Sequence, residues 1–270
     1  MSGLKYITKR AFSSRSFVMS VLSVAALPFF TMLVIQTVVL MNQMYPESYF
    51  DVFRVGETYN FGFIAIRSID SVSTLSFADY LISPLSGTIM QCVIGVASAL
   101  FITSESSSGY IKFYIIKGVE RRRLFIRYIL NTVLLNLSLI AIVLISEVCV
   151  CSVNGVTDSG DYSRLILIVM MQIVMQLCVG ICASSVAIVI QKYSSIMLVV
   201  TVLFLTPSLV QYVSLLSGGE IKIDRLFFII NLINSGYSDI GSIVTGMIVG
   251  LMTAVGVLIG SMLLFINKDY

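Results

Sequence analysis

Residues 165–191 read LILIVMMQIVMQLCVGICASSVAIVIQ, a stretch without one Asp, Glu, Lys or Arg. A helix rising 1.5 Å per residue crosses the hydrocarbon core of a bilayer in about 20 residues, so this stretch holds one crossing. The 270-residue chain has five more charge-free stretches, at 16–46, 80–104, 128–146, 193–219 and 240–267. Hydrophobic residues make up 57% of the chain and charged residues 11%, against roughly 25% charged in soluble domains. So few charges cannot clothe a soluble globule of this size, and disorder requires the opposite composition. The bilayer is the solvent that fits. The chain reads as an all-α polytopic membrane protein, one transmembrane domain over 1–270. Its six spans are placed near 17–41, 81–103, 127–150, 164–190, 194–213 and 242–266.

Six crossings put both termini on one side, and the positive-inside rule chooses that side. Twelve of the 17 basic residues share it: Lys5, Lys9, Arg10, Arg15, Lys112, Lys117, Arg121, Arg122, Arg123, Arg127, Lys192 and Lys268. Arg54, Arg67, Arg164, Lys222 and Arg225 lie opposite, with eleven of the 14 acids. Both termini are therefore expected in the cytoplasm. Apolarity from Phe17 to Met41 outruns the ~7–15 residues of a signal-peptide core, so the first span is expected to be retained. Glu147 stands near the outer end of the third span, where a carboxylate can reach the interface.

The segments between the spans differ in character. The first outer loop, 42–80, interleaves Tyr45, Tyr49, Phe50, Phe53, Tyr59 and Phe61 with polar residues, and reads as a small folded cap or as a strap. Residues 226–233 (LFFIINLI) are apolar but too short to cross, and read as a re-entrant or interfacial piece before the last span. Residues 1–16 mix Leu4, Tyr6, Ile7 and Phe12 with basic residues, a composition suited to an amphipathic helix lying on an anionic leaflet. Loop 104–126 is the one sizeable cytoplasmic connection. In it Ser106, Ser107 and Ser108 offer N-cap hydroxyls. Tyr110, Phe113, Tyr114 and Lys117 recur at helical spacing, and Gly118 suits the left-handed position that stops a helix. A short helix with an aromatic face is expected, which either enters a groove on another protein or rests on the membrane.

Inside the spans the chemistry is mild. Gln36, Gln91, Asn131, Asn136, Gln172, Gln176 and Gln211 read mostly as glue between helices. Gly246, Gly250, Gly256 and Gly260 in the last span, and Gly180, Ala183, Ser184 and Ala187 in the fourth, read as stripes for close packing within the chain. Pro28 and Pro207 permit kinks. Cys92, Cys149, Cys151, Cys178 and Cys182 fall in spans and read as small packing residues. With no His in the chain, no metal site is expected.

In layout the chain resembles the ABC-2 type family of ABC transporter permeases. The features that carry the resemblance are the basic amphipathic start, the six spans, and Phe101-Ile102-Thr103-Ser104-Glu105 closing the second of them. After it come Gly109 to Lys117 and Gly118-Val119-Glu120-Arg121 leading into a basic run, then the apolar piece at 226–233. The resemblance implies that the first cytoplasmic loop is a coupling helix docking on an ATPase subunit. On this chain the docking residues would be Glu105, Gly109, Tyr110, Phe113, Tyr114, Lys117 and Arg121. It also implies two copies of a cytoplasmic ABC ATPase, a second permease copy or homologous permease, and a cargo route flanked by spans two and five. Gln91 and Gln211 would then line that route.

The chain has no G-x-x-x-x-G-K-[ST], so ATP and Mg would be bound by the partner subunit and this chain needs no cofactor. No catalytic residues are expected: the chain lacks His, a G-x-S-x-G and a buried Asp pair. A proton- or sodium-coupled carrier would bury ionisable groups at mid-membrane, and none is expected there. The basic cluster lies against the membrane, so nucleic acid is not expected as a partner. With these classes set aside, the resemblance implies a permease subunit of an ATP-driven exporter in a bacterial cell membrane, moving amphipathic cargo such as cytolytic or antimicrobial peptides. The alternatives are a permease for immunity or drug efflux, and a non-transporting scaffold that recruits a cytoplasmic protein through the same loop.

Overall fold

The computed structural model describes residues 9–10, 12–44, 54–55, 58–60, 65–67, 77–153, 162–203, 205 and 240–268. The elements are α1 (Arg15–Met44), β1 (Arg54–Val55), β2 (Thr58–Asn60), β3 (Ala65–Arg67), α2 (Phe77–Ser86), α3 (Thr88–Ser107) and α4 (Tyr110–Ile116). After them come α5 (Arg121–Val153), α6 (Tyr162–Ile190), the short α7 (Ser194–Leu203) and α8 (Ile240–Ile266). Five of these, α1, α3, α5, α6 and α8, are long and apolar enough to cross a membrane. The chain has the character of a membrane protein.

The sixth span expected at 194–213 is helical over α7, which alone is too short to cross; residues 206–213 lie outside the described residues, as do Pro207, Gln211 and the 226–233 piece. Of the N-terminal helix expected over 1–16, residues 9, 10 and 12 are helical and residues 1–8 lie outside the described residues. Ser14 caps α1, its hydroxyl accepting the Phe17 N–H at 3.1 Å. The helix then runs through Pro28 without ending. In the long outer loop, β1, β2 and β3 form an antiparallel meander, with Tyr59 opposite Arg54 on one side and Ile66 on the other. The architecture is helical as expected, with this small sheet confined to one loop, where it favours the folded-cap reading.

The second span corrects the expected boundary at 81. Pro84 withholds an N–H, and Gly87 takes an extended conformation (φ −68°, ψ 144°), so the helix breaks there and restarts at Thr88. A carbonyl freed inside a membrane protein needs a partner. Gln176 of α6 supplies one, donating from Nε2 to the Leu85 carbonyl at 2.7 Å.

α3 is the most enclosed of the long helices and α8 the least. α6 packs against α3 and α8, and α1 against α5 and α3. Lipid gives no hydrophobic drive to helix association, so close packing and interhelical hydrogen bonds must hold the bundle. Gly180 carries one such approach: the Asn136 amide of α5 lies where any side chain at that position would stand. The Ser98 hydroxyl of α3 in turn bonds the Asn136 carbonyl oxygen at 3.1 Å. Ala183, Ser184 and Ala187 are buried on the same helix, as expected of that stripe. The stripe on α8 divides. Gly246 and Gly250 are buried, but Gly256 and Gly260 are exposed with open space beside them, which corrects their reading as packing residues within the chain. Ten residues turn a helix about 80° short of three full turns, enough to move the second pair to the edge of the buried face.

Candidate coupling site at the basic end

α4 forms where a short helix is expected, and its C-terminus follows the expected chemistry. Gly118 is left-handed at φ +77°. Its N–H bonds the Ile115 carbonyl, and that of Val119 bonds the Tyr114 carbonyl, both at 3.0 Å. This pair is the Schellman arrangement that satisfies the last carbonyls of a helix. The N-terminus differs from expectation. Gly109, left-handed at φ +72°, is the N-cap, with no side-chain cap. The hydroxyls of Ser107 and Ser108 instead bond back to the Ser104 carbonyl and close the end of α3. The left-handed glycine separates the serines from α4, leaving them to the preceding helix.

The expected single aromatic face is also corrected. Ile111 is 1% exposed, and Tyr114 and Ile115 pack against the core beside it. Tyr110 lies under the Arg10 guanidinium, 3.7 Å from its ring centroid. Phe113 and Ile116 turn outward, 46% and 84% exposed, flanked by exposed Lys112 and Lys117. The Lys117 ammonium sits 4.3 Å from the Phe113 ring centroid, a cation–π contact. Phe113 and Ile116, three residues apart on one face and flanked by cations, suit contact with a groove on another protein or with the membrane surface.

Two clasps fix this helix to the bundle. On its leading side, Glu105 is 2% exposed at the end of α3. Arg10 Nε pairs with its Oε1 at 3.1 Å, and Arg10 Nη2 donates to the Ser108 hydroxyl at 3.1 Å. The Tyr128 hydroxyl of α5 donates to Glu105 Oε2 at 3.5 Å. On the trailing side, Arg121 Nη1 donates to the carbonyls of Ile266 and Lys268 at 2.6 and 2.7 Å, at the end of α8. Lys268 Nζ reaches the Val189 carbonyl at the end of α6, at 2.8 Å. Cations suit helix C-termini, where carbonyls lack internal partners. Burial, and then the charge of Lys192, hold the Lys268 ammonium below the usual lysine pKa.

Of the residues expected to dock a partner, Phe113 and Lys117 are exposed, Gly109, Tyr110 and Tyr114 are half-buried, and Glu105 and Arg121 are committed to the clasps. Within the chain, Glu105 holds α4 to the bundle. Sequence reading missed the pairing of Arg10 with Glu105. The available signal was a lone acid closing an apolar run on the basic side.

Gln91, expected on a cargo route, is fully buried in α3. Gln211 lies outside the described residues. Glu147, expected to reach outward near the end of its span, is instead 0% exposed, on the α5 stripe of Leu139, Ile140 and Val143 that faces the bundle. Its Oε1 lies 4.0 Å from Cys151 Sγ, and its Oε2 has no hydrogen-bond partner among the described residues. No group of three or more His, Cys, Asp or Glu that could hold a metal occurs among the described residues.

A groove of about 540 Å³ opens between α1, α3 and α7, with Arg15 and Ser16 at the basic end and Cys92, Val93, Val96, Leu100 and Val200 on its walls. No protein-family model, curated protein or solved structure matches the chain.

Proposed function

We propose that the chain is the membrane subunit of an ATP-driven exporter of ABC-2 type. It would lie in a bacterial cell membrane with both termini in the cytoplasm, work as a pair of permeases, and be driven by two separate ATPase subunits. α4 is the lever. Phe113 and Ile116 are the knobs a partner takes up, and Lys112 and Lys117 set the charge of the contact. The observation that carries this reading is that α4 offers two apolar side chains outward while both flanks are tied to spanning helices. Glu105, at the end of α3, ties its leading side to Arg10 ahead of α1 and to Tyr128 of α5, and Arg121 ties its trailing side to the end of α8. A push on Phe113 is thereby passed to several helices together, which a helix merely resting on lipid does not require.

The cargo is an amphipathic peptide, since amides and apolar groups line most of the bundle and Glu147 is the one enclosed carboxyl among the described residues away from the basic end. The test is purification of the chain in mild detergent with its bound proteins identified, repeated with Phe113→Glu. An ATPase retained by the native chain and lost from the variant, with membrane insertion unchanged, supports the reading. Retention of the ATPase by Phe113→Glu removes α4 as the docking element. Retention of a non-ATPase protein by the native chain favours the scaffold.

A further inference from the structure

We propose that the groove between α1, α3 and α7 is a seat for one anionic phospholipid, taken from the leaflet at the basic end of the bundle. The groove has one cationic end and an apolar interior. Arg15, in the first turn of α1, is exposed at its mouth and has no ion-pair or hydrogen-bond partner among the described residues. Arg10, five residues earlier, is by contrast consumed by Glu105. Below Arg15 the two long walls run antiparallel, because the start of α1 and the end of α3 meet at the Arg10–Glu105 pair. Met19 and Ser23 on α1 face Val93, Val96 and Leu100 on α3, and Val200 closes the third side. From Arg15 to Ser23 the groove descends eight residues, roughly 12 Å along the helix axis.

The serines on this wall do not make it polar. Ser20 and Ser23 direct their hydroxyls to the Ser16 and Met19 carbonyls of their own helix, each at 2.9 Å. Their protons are thus committed within α1, and Arg15, with the Ser16 hydroxyl beside it, is left to donate at the mouth. A charge at the interface above an apolar slot along the membrane normal has the shape and polarity of a phospholipid, headgroup outward and acyl chain inward. The volume lies within the ~300–1,000 Å³ of ordinary ligand sites. Guanidinium binds phosphate by paired hydrogen bonds, so an anionic headgroup is favoured over a zwitterionic one, whose own cation faces Arg15. This assignment stands independently of any ATPase partner.

The experiment is native mass spectrometry of the full chain in mild detergent, titrated with phosphatidylglycerol or phosphatidylcholine of the same acyl composition. One tightly retained phosphatidylglycerol per chain is expected, with phosphatidylcholine retained several-fold less. Arg15→Gln is on the surface and leaves the bundle intact; it should weaken phosphatidylglycerol retention about fivefold, the value of one basic group near a membrane surface. Val96→Trp fills the slot and should abolish retention of both lipids, while Arg122→Gln, an exposed cation at the start of α5, should change neither. Equal retention of the two lipids, or phosphatidylglycerol retention unmoved by Arg15→Gln, would overturn the proposal. So would efficient disulfide formation between two chains carrying Leu100→Cys, which would make a second copy the occupant.

Discussion

Arg10→Ala isolates the leading clasp, and its size can be worked from the geometry. The ion pair at 3.1 Å sets a carboxylate that is 3% exposed against a guanidinium side chain that is 30% exposed. Removing one partner of a fully buried pair costs roughly 3–5 kcal/mol, because the other charge is stranded. Arg10 is partly solvated, so water entering its vacated place relieves some of that cost, and the lower end, about 3 kcal/mol, is the better figure. Glu105→Gln keeps the shape and a polar contact to Tyr128 while removing the charge, and should cost about 1 kcal/mol. In the double variant no charge is stranded, and a loss of roughly 1.5 kcal/mol is expected, leaving a coupling of about 2.5 kcal/mol between the two sites. Thermal unfolding in one detergent, with all four proteins side by side, reads this directly, at about 2–4 °C per kcal/mol for a chain of this size. Losses that add, with the double variant as damaged as the two singles summed, would mean that the pair carries no coupling. The clasp would then have no mechanical role.

Two further outcomes bear on the bundle itself. Gly180→Val should lower unfolding stability by more than 2 kcal/mol or prevent assembly, since overpacking typically costs ~1–3 kcal/mol and the displaced Asn136 amide also loses its place beside Ser98. A thermal midpoint unchanged from the native chain would refute the α5–α6 contact. Glu147→Gln removes an enclosed carboxyl group with no cation beside it among the described residues. Under the exporter reading it should leave transport and partner hydrolysis within about twofold while holding or raising stability, because a neutral group is cheaper to bury than a charge. Loss of transport with normal ATPase docking would instead make Glu147 part of an ion-coupled cycle.

The expectations that rested on the length of charge-free runs agree with the structure for four of the long helices, and those that depended on which way a side chain turns needed coordinates. Charge-free runs of 19 residues or more place α1, α5, α6 and α8 to within a few residues outside the 127 boundary, where α5 starts at Arg121, because excluding charge from hydrocarbon is a one-dimensional constraint. The break at Gly87 was also written in the chain, as Ser83-Pro84-Leu85-Ser86-Gly87, but inside a run long enough to cross. What makes the break tolerable is Gln176, 91 residues away. Gly118 was legible because a left-handed stop needs only its own φ, whereas the serine caps were not, because Gly109 decides which helix they serve.

The deeper lesson lies with the charges. Arg10, Arg15 and Arg121 look alike as members of a basic flank that sets topology. In the fold Arg10 neutralises a buried carboxylate, Arg121 closes the end of a distant helix, and Arg15 stands over an apolar groove. A topology rule counts these cations without distinguishing them, because it concerns only the cost of moving charge across the bilayer. Their separate roles arise from what each can reach once the helices have packed. Glu105 is the residue from which the difference follows. An acid at the apolar end of a span must find a cation or keep its proton. Arg10, ahead of the first helix, is taken up by pairing with Glu105, which leaves Arg15 as the first basic group on that helix.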